Sequence, residues 1–171
     1  LLDGKAVDQK PLSLTFRTAA QASEPAEWFV ATDGNDANDG RSRQKALRSI
    51  NAAAERAAAG DTIWVAGGTY SEIVYVRSTG DQEHPLVFRS LPGEKVVFDG
   101  RERAIPHAFI LTGKAHVHID GFYFTGFGFG GRRAVDRNHS VSSGILNLSI
   151  TEDIHITRCF SDGRGSGYAP P

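Results

Sequence analysis

Beyond Gly60 the chain changes character and does not change back. "DTIWVAGGTY", "EIVYVRSTG", "PLVFRSLPG", "KVVFDG", "AFILTG", "HVHIDGFYFTGF", "GILNLSITE" and "DIHITRCFSDG" follow one another, each a strand-like run of about four to six residues closed by Gly, Asn or Asp. Regular short strands with turn signals admit an all-β sandwich, a barrel or a solenoid. Two repeats favour the solenoid. "VVFDG" closes at Gly100 and "VHIDG" at Gly121, 21 residues on (121 − 100). "DIHITRC" then echoes "HVHIDGF" after 37 (156 − 119), with a Gly- and Arg-rich insert between them. A parallel β-helix coil takes roughly 20 to 30 residues, and insertions loop out from one face. Inward positions should then stack as apolar ladders. Ile63, Val65, Val74, Val76, Val87, Val97, Ile110, Val117, Ile119, Ile145, Leu148, Ile154 and Ile156 are the expected members.

One helix is expected ahead of the strands. In "RQKALRSINAAAERAAAG", Leu47, Ile50, Ala54 and Ala57 form one apolar stripe, and Gly60 supplies a C-cap. The pattern predicts a helix over about 44–59, placed where the open end of a solenoid needs a cap. Coils should begin at about residue 61. Upstream, "PLSLTFRT" (11–18) alternates like a half-buried strand, and a linker follows it. Residues 1–27 therefore read as the end of a preceding module or a strand laid along the next, and 28–171 as the first part of the β-domain. The opening residues carry Asp3, Gly4 and Asp8 where a signal peptide would need an apolar stretch. With no initiator Met and a stop directly after strand-like runs, the chain reads as a piece of a longer protein that continues past Pro171.

Nineteen basic residues stand against twenty acidic ones, a formal charge of -1. That balance argues against a nucleic-acid binder, and no apolar run is long enough to insert in a membrane. The single Cys159 cannot form an internal disulfide and reads as a small buried side chain. "TDGNDANDGRS" (32–42) has the composition of a calcium loop, but no register places Asp or Asn at the first, third and fifth positions with Gly at the sixth. It reads as a connector built of Asx turns. No metal site is expected in this sequence.

"WFVATDGNDANDGRS", the helix, "AAGDTIWVAGGTYSE" and "HPLVFRSLPGEKVVFDG" together resemble the N-terminal region of right-handed parallel β-helix proteins. That group includes polysaccharide lyases similar to the pectate-lyase and chondroitinase B/alginate-lyase families. The likeness covers Trp28 to Gly100 and continues more weakly to about Gly163. It implies a secreted, periplasmic or cell-surface protein that acts on an acidic polysaccharide by β-elimination. In such enzymes a Lys or Arg base removes the proton α to a carboxylate, often beside Ca²⁺, and both could lie in coils beyond this sequence. A non-catalytic carbohydrate-binding or surface-structural β-helix, and a glycoside hydrolase on the same scaffold, remain open.

Two segments could carry chemistry. The insert "GFGFGGRRAVDRNHSVSSG" (126–144) holds Arg132, Arg133, Arg137 and His139 against one acid, Asp136, and suits a carboxylate or sulfate. It opens no helix, so its glycines are no dinucleotide motif. "TRCFSDGRGSGY" offers Arg158, Asp162 and Arg164 as catalytic candidates, or as a turn with a surface ion pair. His116, His118 and His155 are expected as an outward ladder, with His155 beside one of the others in the next coil. Trp64 and Tyr70 could stack on sugar or pack inside the coils.

Overall fold

The computed structural model describes residues 24–101, 107–127, 146–147 and 150–161, so the expected strand at 11–18 lies outside the described residues. Its strands in chain order are β1 (Glu27–Val30), β2 (Thr62–Val65), β3 (Gly68–Tyr70), β4 (Val74–Tyr75), β5 (Leu86–Ser90) and β6 (Val96–Asp99). They continue as β7 (Phe109–Ile110), β8 (Ala115–Asp120), β9 (Phe122–Thr125), β10 (Leu146–Asn147), β11 (Glu152–Thr157) and β12 (Phe160–Ser161). From β2 onward the chain visits three sheets in rotation. The sheets run β1-β2-β5-β8-β11, β3-β6-β9-β12 and β4-β7-β10. Every strand pair among the described residues is parallel. Each strand thus bonds to its counterpart one coil away, and the rest of the coil is the crossover that parallel pairing requires. This is the solenoid expected from the strand rhythm.

Residues on one phase of the strands from β1 to β9 fill the interior. Leu86, Phe88, Val96, Phe98, Phe109, Phe122 and Phe124 are buried, and most have no exposed surface at all. Their rings form one aromatic stack: Phe98 lies 5.2 Å from Phe109, 5.4 Å from Phe122 and 5.3 Å from Phe124. Tyr70 belongs to the same interior, with its hydroxyl donating to Ala66 O at 2.9 Å.

Three expected ladder members sit on the other side of the sheets. Val87, Val97 and Ile110 are half-buried and take the outward phase, because Leu86 with Phe88, Val96 with Phe98, and Phe109 take the inward one. A run that is apolar on both phases does not disclose its register, and a one-residue slip exchanges the faces. Ile63, Val65, Val74, Val76, Val117 and Ile119 are buried as expected. Ile145 and Leu148 lie outside the described residues. Ile154 packs against the core, and Ile156 stacks on Ile119 yet is 44% exposed, since no described strand lies beyond β11.

The 21-residue repeat is not a coil. Gly100 follows β6 and Gly121 follows β8, which belong to different sheets. The neighbours of β6 are β3 and β9, with Val96 on Phe122, 26 residues on (122 − 96). The 37-residue echo is a coil: Ile156 pairs with Ile119, and Phe160 with Tyr123 at the same offset (160 − 123). The match extends to backbone conformation. Gly113 (φ 69°) and Ile150 (φ 55°), His116 (φ 51°) and Asp153 (φ 49°), and Gly121 (φ 84°) and Arg158 (φ 50°) are left-handed pairs at that offset. A β-branched residue is strained there, and Ile150 is 90% exposed, so packing gives nothing back. Ile150→Gly should therefore raise stability by roughly 0.5–1 kcal/mol, read as a higher urea midpoint. An unchanged or lower midpoint would show that the strain is not felt.

The expected helix over about 44–59 is shorter and divided. A 3₁₀ turn covers Arg43–Lys45, and α1 covers only Ile50–Ala54. Between them Leu47 bridges Val30 in parallel fashion, donating to Phe29 O at 2.8 Å and accepting from Ala31 N at 2.9 Å. Backbone groups used in a sheet bridge cannot also close a helix. The apolar stripe was nonetheless a true guide to burial, for Leu47, Ile50, Ala54 and Ala57 are all in the core. Within α1, Ser49 Oγ accepts from Ala52 N at 3.1 Å, an N-cap. The helix packs against β1, β2 and β4.

The turn "TDGNDANDGRS" is a connector whose polar groups are spent on backbone. Asn35 Oδ1 accepts from Ala37 N at 2.9 Å, and Asp39 Oδ1 from Arg41 N at 3.0 Å. Asp36 Oδ1 accepts from Arg48 N at 2.7 Å and Ser49 N at 2.9 Å. Glu72 grips the same helix start, taking Ile50 N at 2.9 Å and Asn51 Nδ2 at 2.7 Å. Asp61 is buried and accepts from Ala26 N, Trp28 Nε1 and Ala58 N at 2.8 to 2.9 Å. Glu94 accepts from Gly67 N at 2.6 Å, tying one coil to the next.

Candidate functional site

Arg132, Arg133, Arg137 and His139, and likewise Asp162 and Arg164, lie outside the described residues. The place of the insert in the chain is still defined. The corner from the second sheet to the third spans 71–73 between β3 and β4, 100–108 between β6 and β7, and 126–145 between β9 and β10. That is three, then nine, then twenty residues. The corner from the first sheet to the second stays short, with two residues between β2 and β3, five between β5 and β6, one between β8 and β9 and two between β11 and β12. Chain length is added at one corner and withheld from the other.

Arg158 is the described member of the catalytic candidates. Its partner is not a neighbour in sequence but Asp120, one coil below. Arg158 Nε donates to Asp120 Oδ1 at 2.7 Å, and a second guanidinium nitrogen donates to Oδ2. Arg89 Nε donates to the same Oδ2 at 2.8 Å from the coil on the other side. The strand register sets this up: Arg89 pairs with Asp120, and Asp120 pairs with Thr157, the residue before Arg158. The Asp120 side chain is 4% exposed, while those of Arg89 and Arg158 are 39% and 70% exposed. The group carries one excess positive charge and presents it to solvent. Arg89 also lies over the outward ring of Trp64, 5.7 Å from its centroid.

The electrostatics bear on what Arg158 can do. Its hydrogen bonds to Asp120, and then the charge of that carboxylate, raise the Arg158 pKa above the ordinary guanidinium value. A group held so firmly cationic binds anions well and takes up protons poorly. Conversely, the Arg158 hydrogen bonds lower the Asp120 pKa to about 2, against the desolvation that opposes them. A carboxyl with a depressed folded pKa stabilises the fold above its unfolded value of about 3.9, and that contribution fades as pH falls towards 2. Asp120→Asn should flatten the loss of urea stability between about pH 5 and pH 2.5 by about 1–2 kcal/mol, the exposed arginines limiting the effect. Parallel pH profiles for both proteins would remove the ion triad from the account of stability.

The histidines form the expected outward ladder. His155 pairs in register with His118, and the ring centroids are 4.6 Å apart. Burial, and next the neighbouring His155, lower the His118 pKa. Asp153 joins the two coils, with Oδ2 2.7 Å from His116 Nδ1 and Oδ1 2.6 Å from His155 Nε2. Among the described residues no group of three or more His, Cys, Asp or Glu could hold a metal ion. Cys159 takes the inward phase and packs against the core, with its thiol pKa raised by burial.

An open groove of about 540 Å³ lies at the β3–β4 corner, lined by Asp36, Arg48, Tyr70 and Glu72 among others. Its two carboxylates are the ones that hold the start of α1. Asp99, at the next corner of the same edge, is held by Arg101 Nε at 2.9 Å, which lowers its pKa. Sequence reading missed the pairing of Arg158 with Asp120. The 37-residue offset was the signal that could have found it, since it places Thr157 beside Asp120.

A family model described as the Pel9A-like, right-handed β-helix region matches residues 28–154. The chain belongs to this Pel9A-like family. Its handedness is the one the resemblance implied. Among curated relatives, the uncharacterized protein YwoF of Bacillus subtilis (strain 168) is 37% identical over 76 residues, 44% of this chain and 16% of that protein. The pectate lyase PEL9 of Emericella nidulans is 37% identical over 79 residues, 45% of this chain and 19% of that protein. The chain therefore spans less than a fifth of either curated relative. A solved rhamnogalacturonan lyase aligns with a TM-score of 0.51 at 17% identity, covering 61% of this chain and 29% of that one. A GH136 lacto-N-biosidase from Eubacterium ramulus aligns with a TM-score of 0.58 at 14% identity, covering 80% of this chain and 27% of that one. At such identities these two attest the fold. The Pel9A-like scaffold is thus shared with proteins named as lyases and with one named as a glycosidase.

Proposed function

We propose that this chain forms the first coils of a secreted, periplasmic or cell-surface Pel9A-like protein that binds an acidic polysaccharide and cleaves it by β-elimination. The observation that carries the reading is the family match across 28–154, with a pectate lyase among the relatives. In this reading the corner that holds Arg132, Arg133, Arg137 and His139 contacts the polymer. Arg158 and Arg89 serve as fixed cations for uronate carboxylates. The base, and any Ca²⁺ that helps neutralise the carboxylate, belong to coils beyond Pro171. Neutralising that carboxylate stabilises the enolate that forms when the α-proton leaves.

The test is ultraviolet absorbance of unsaturated uronates when the full-length protein meets pectate, alginate or glycosaminoglycans, with calcium and with chelator. A rise supports the lyase, and its loss in chelator assigns the metal. No rise on any polymer sinks it. A second reading, a non-catalytic binding or structural β-helix, draws on one observation. Asp36, Glu72, Asp99 and Asp120 are each committed to structural hydrogen bonds within these coils. Binding without products or new reducing ends would select it. Arg132→Ala with Arg133→Ala should weaken that binding, and an unchanged affinity would remove the insert from the contact surface.

A further inference from the structure

The second sheet carries an exposed aromatic pair that the reading above does not use. Tyr123 of β9 and Phe160 of β12 are stacked in register on the outward phase, 39% and 53% exposed. Phe122 and Phe124, on either side of Tyr123, are buried, so the pleat turns Tyr123 outward, and the parallel register carries Phe160 with it. The ring centroids are 5.2 Å apart and the planes are inclined at 46°, which makes a shallow trough. Val97 pairs with Tyr123 from the coil below and is half-buried, extending the same apolar strip by one rung. Three rungs at a strand spacing of about 4.8 Å give a strip about 10 Å long, the length of a disaccharide. Lys95 Nζ lies 4.4 Å from the Tyr123 ring centroid, and among the described residues no carboxylate pairs with it.

Two exposed rings and an aliphatic rung with one cation at the edge suit a ligand of mixed character. One face must be apolar and flat, and an anionic group must stand at its rim. A uronate pyranose has both, in the C–H bonds of its ring face and its carboxylate. We propose that Val97, Tyr123 and Phe160, with Lys95 at the rim, form a stacking subsite for an acidic sugar residue. The inference rests on the polysaccharide reading and adds a position for the polymer. The exposed cation–π contact of Lys95 is weak enough to be exchanged for the sugar carboxylate.

The experiment is calorimetric titration of the full-length protein with polygalacturonate, alginate and chondroitin sulfate fragments. Tyr123→Ala with Phe160→Ala should weaken binding of the preferred polymer at least about tenfold, since aromatic contacts carry much of such interfaces. Tyr123→Phe should bind like the parent. Lys95→Gln should weaken the charged polymer and make its binding less sensitive to salt. In case the double variant folds poorly, ring-proton shifts of Tyr123 and Phe160 in the parent protein report contact independently. The subsite is overturned by parent-like affinity in a folded double variant, by absent ring shifts, or by a parent that binds none of the three polymers. Tight binding without ultraviolet product keeps the subsite and sinks the lyase. Product formation with unchanged affinity in the double variant does the reverse.

Discussion

Phe98→Ala will destabilise the protein by about 3–5 kcal/mol, a loss large enough to consume much of a typical domain's stability. Phe98 has no exposed surface and touches the rings of Tyr70, Phe109, Phe122 and Phe124, so it joins the second sheet to the third and one coil to the next. Deleting the ring removes its burial energy and leaves a cavity that three sheets cannot close, because each is held by hydrogen bonds to its own stack. Tyr123→Ala one coil on, but outward, should cost well under 1 kcal/mol and serves as the control. Urea unfolding followed by the fluorescence of Trp28 and Trp64 measures both. Equal midpoints for the two variants would mean that the aromatic stack is not the core that holds the coils together.

The second large effect belongs to a carboxylate. Asp61→Ala should cost about 3–4 kcal/mol, because it leaves three N–H donors without their acceptor at a buried position. Those donors are Ala26 N, Trp28 Nε1 and Ala58 N, which belong to the start of β1 and to the segment after α1. Asp61 therefore fastens both ends of the first coil to the beginning of β2. Asp61→Asn should recover only part of the loss, since the amide must turn an NH₂ group towards donors that need an oxygen. Amide hydrogen exchange at Ala26 and Ala58, with the melting temperature, separates local loosening from global unfolding. Unaltered protection at both would show that the carboxylate is dispensable.

Asp61 also explains what could and could not be read from the sequence. "GDT", "TYSE", "PGE" and the Asp/Asn turn were the phrases behind the resemblance. Asp61, Glu72, Glu94 and Asp36 in those phrases all hold backbone together. They identify the fold because they build its first coils, and for the same reason they are silent about the reaction. The strand rhythm, the outward histidines and the 37-residue coil were legible because period and register are local or repeating properties. The length of α1 was not, since Leu47 is claimed by β1, a partner that helical periodicity does not reveal. The phase of Val87 and Val97 was hidden by apolar neighbours on both sides. Arg158 drew notice for the acid beside it in sequence, whereas the parallel stack gave it Asp120, from a coil away.

The corner that grows from three to nine to twenty residues sits in a frame whose strands keep their register on either side. Closing a loop costs entropy that rises only with the logarithm of its length, about 0.6 kcal/mol for each doubling. Lengthening that corner from nine residues to twenty is thus cheaper than trimming one core side chain. The scaffold and the length of that corner can consequently vary independently. A chimera that exchanges 128–145 for the equivalent stretch of another β-helix should keep its melting temperature. Inheritance of the fold without inheritance of the substrate is what such an arrangement permits.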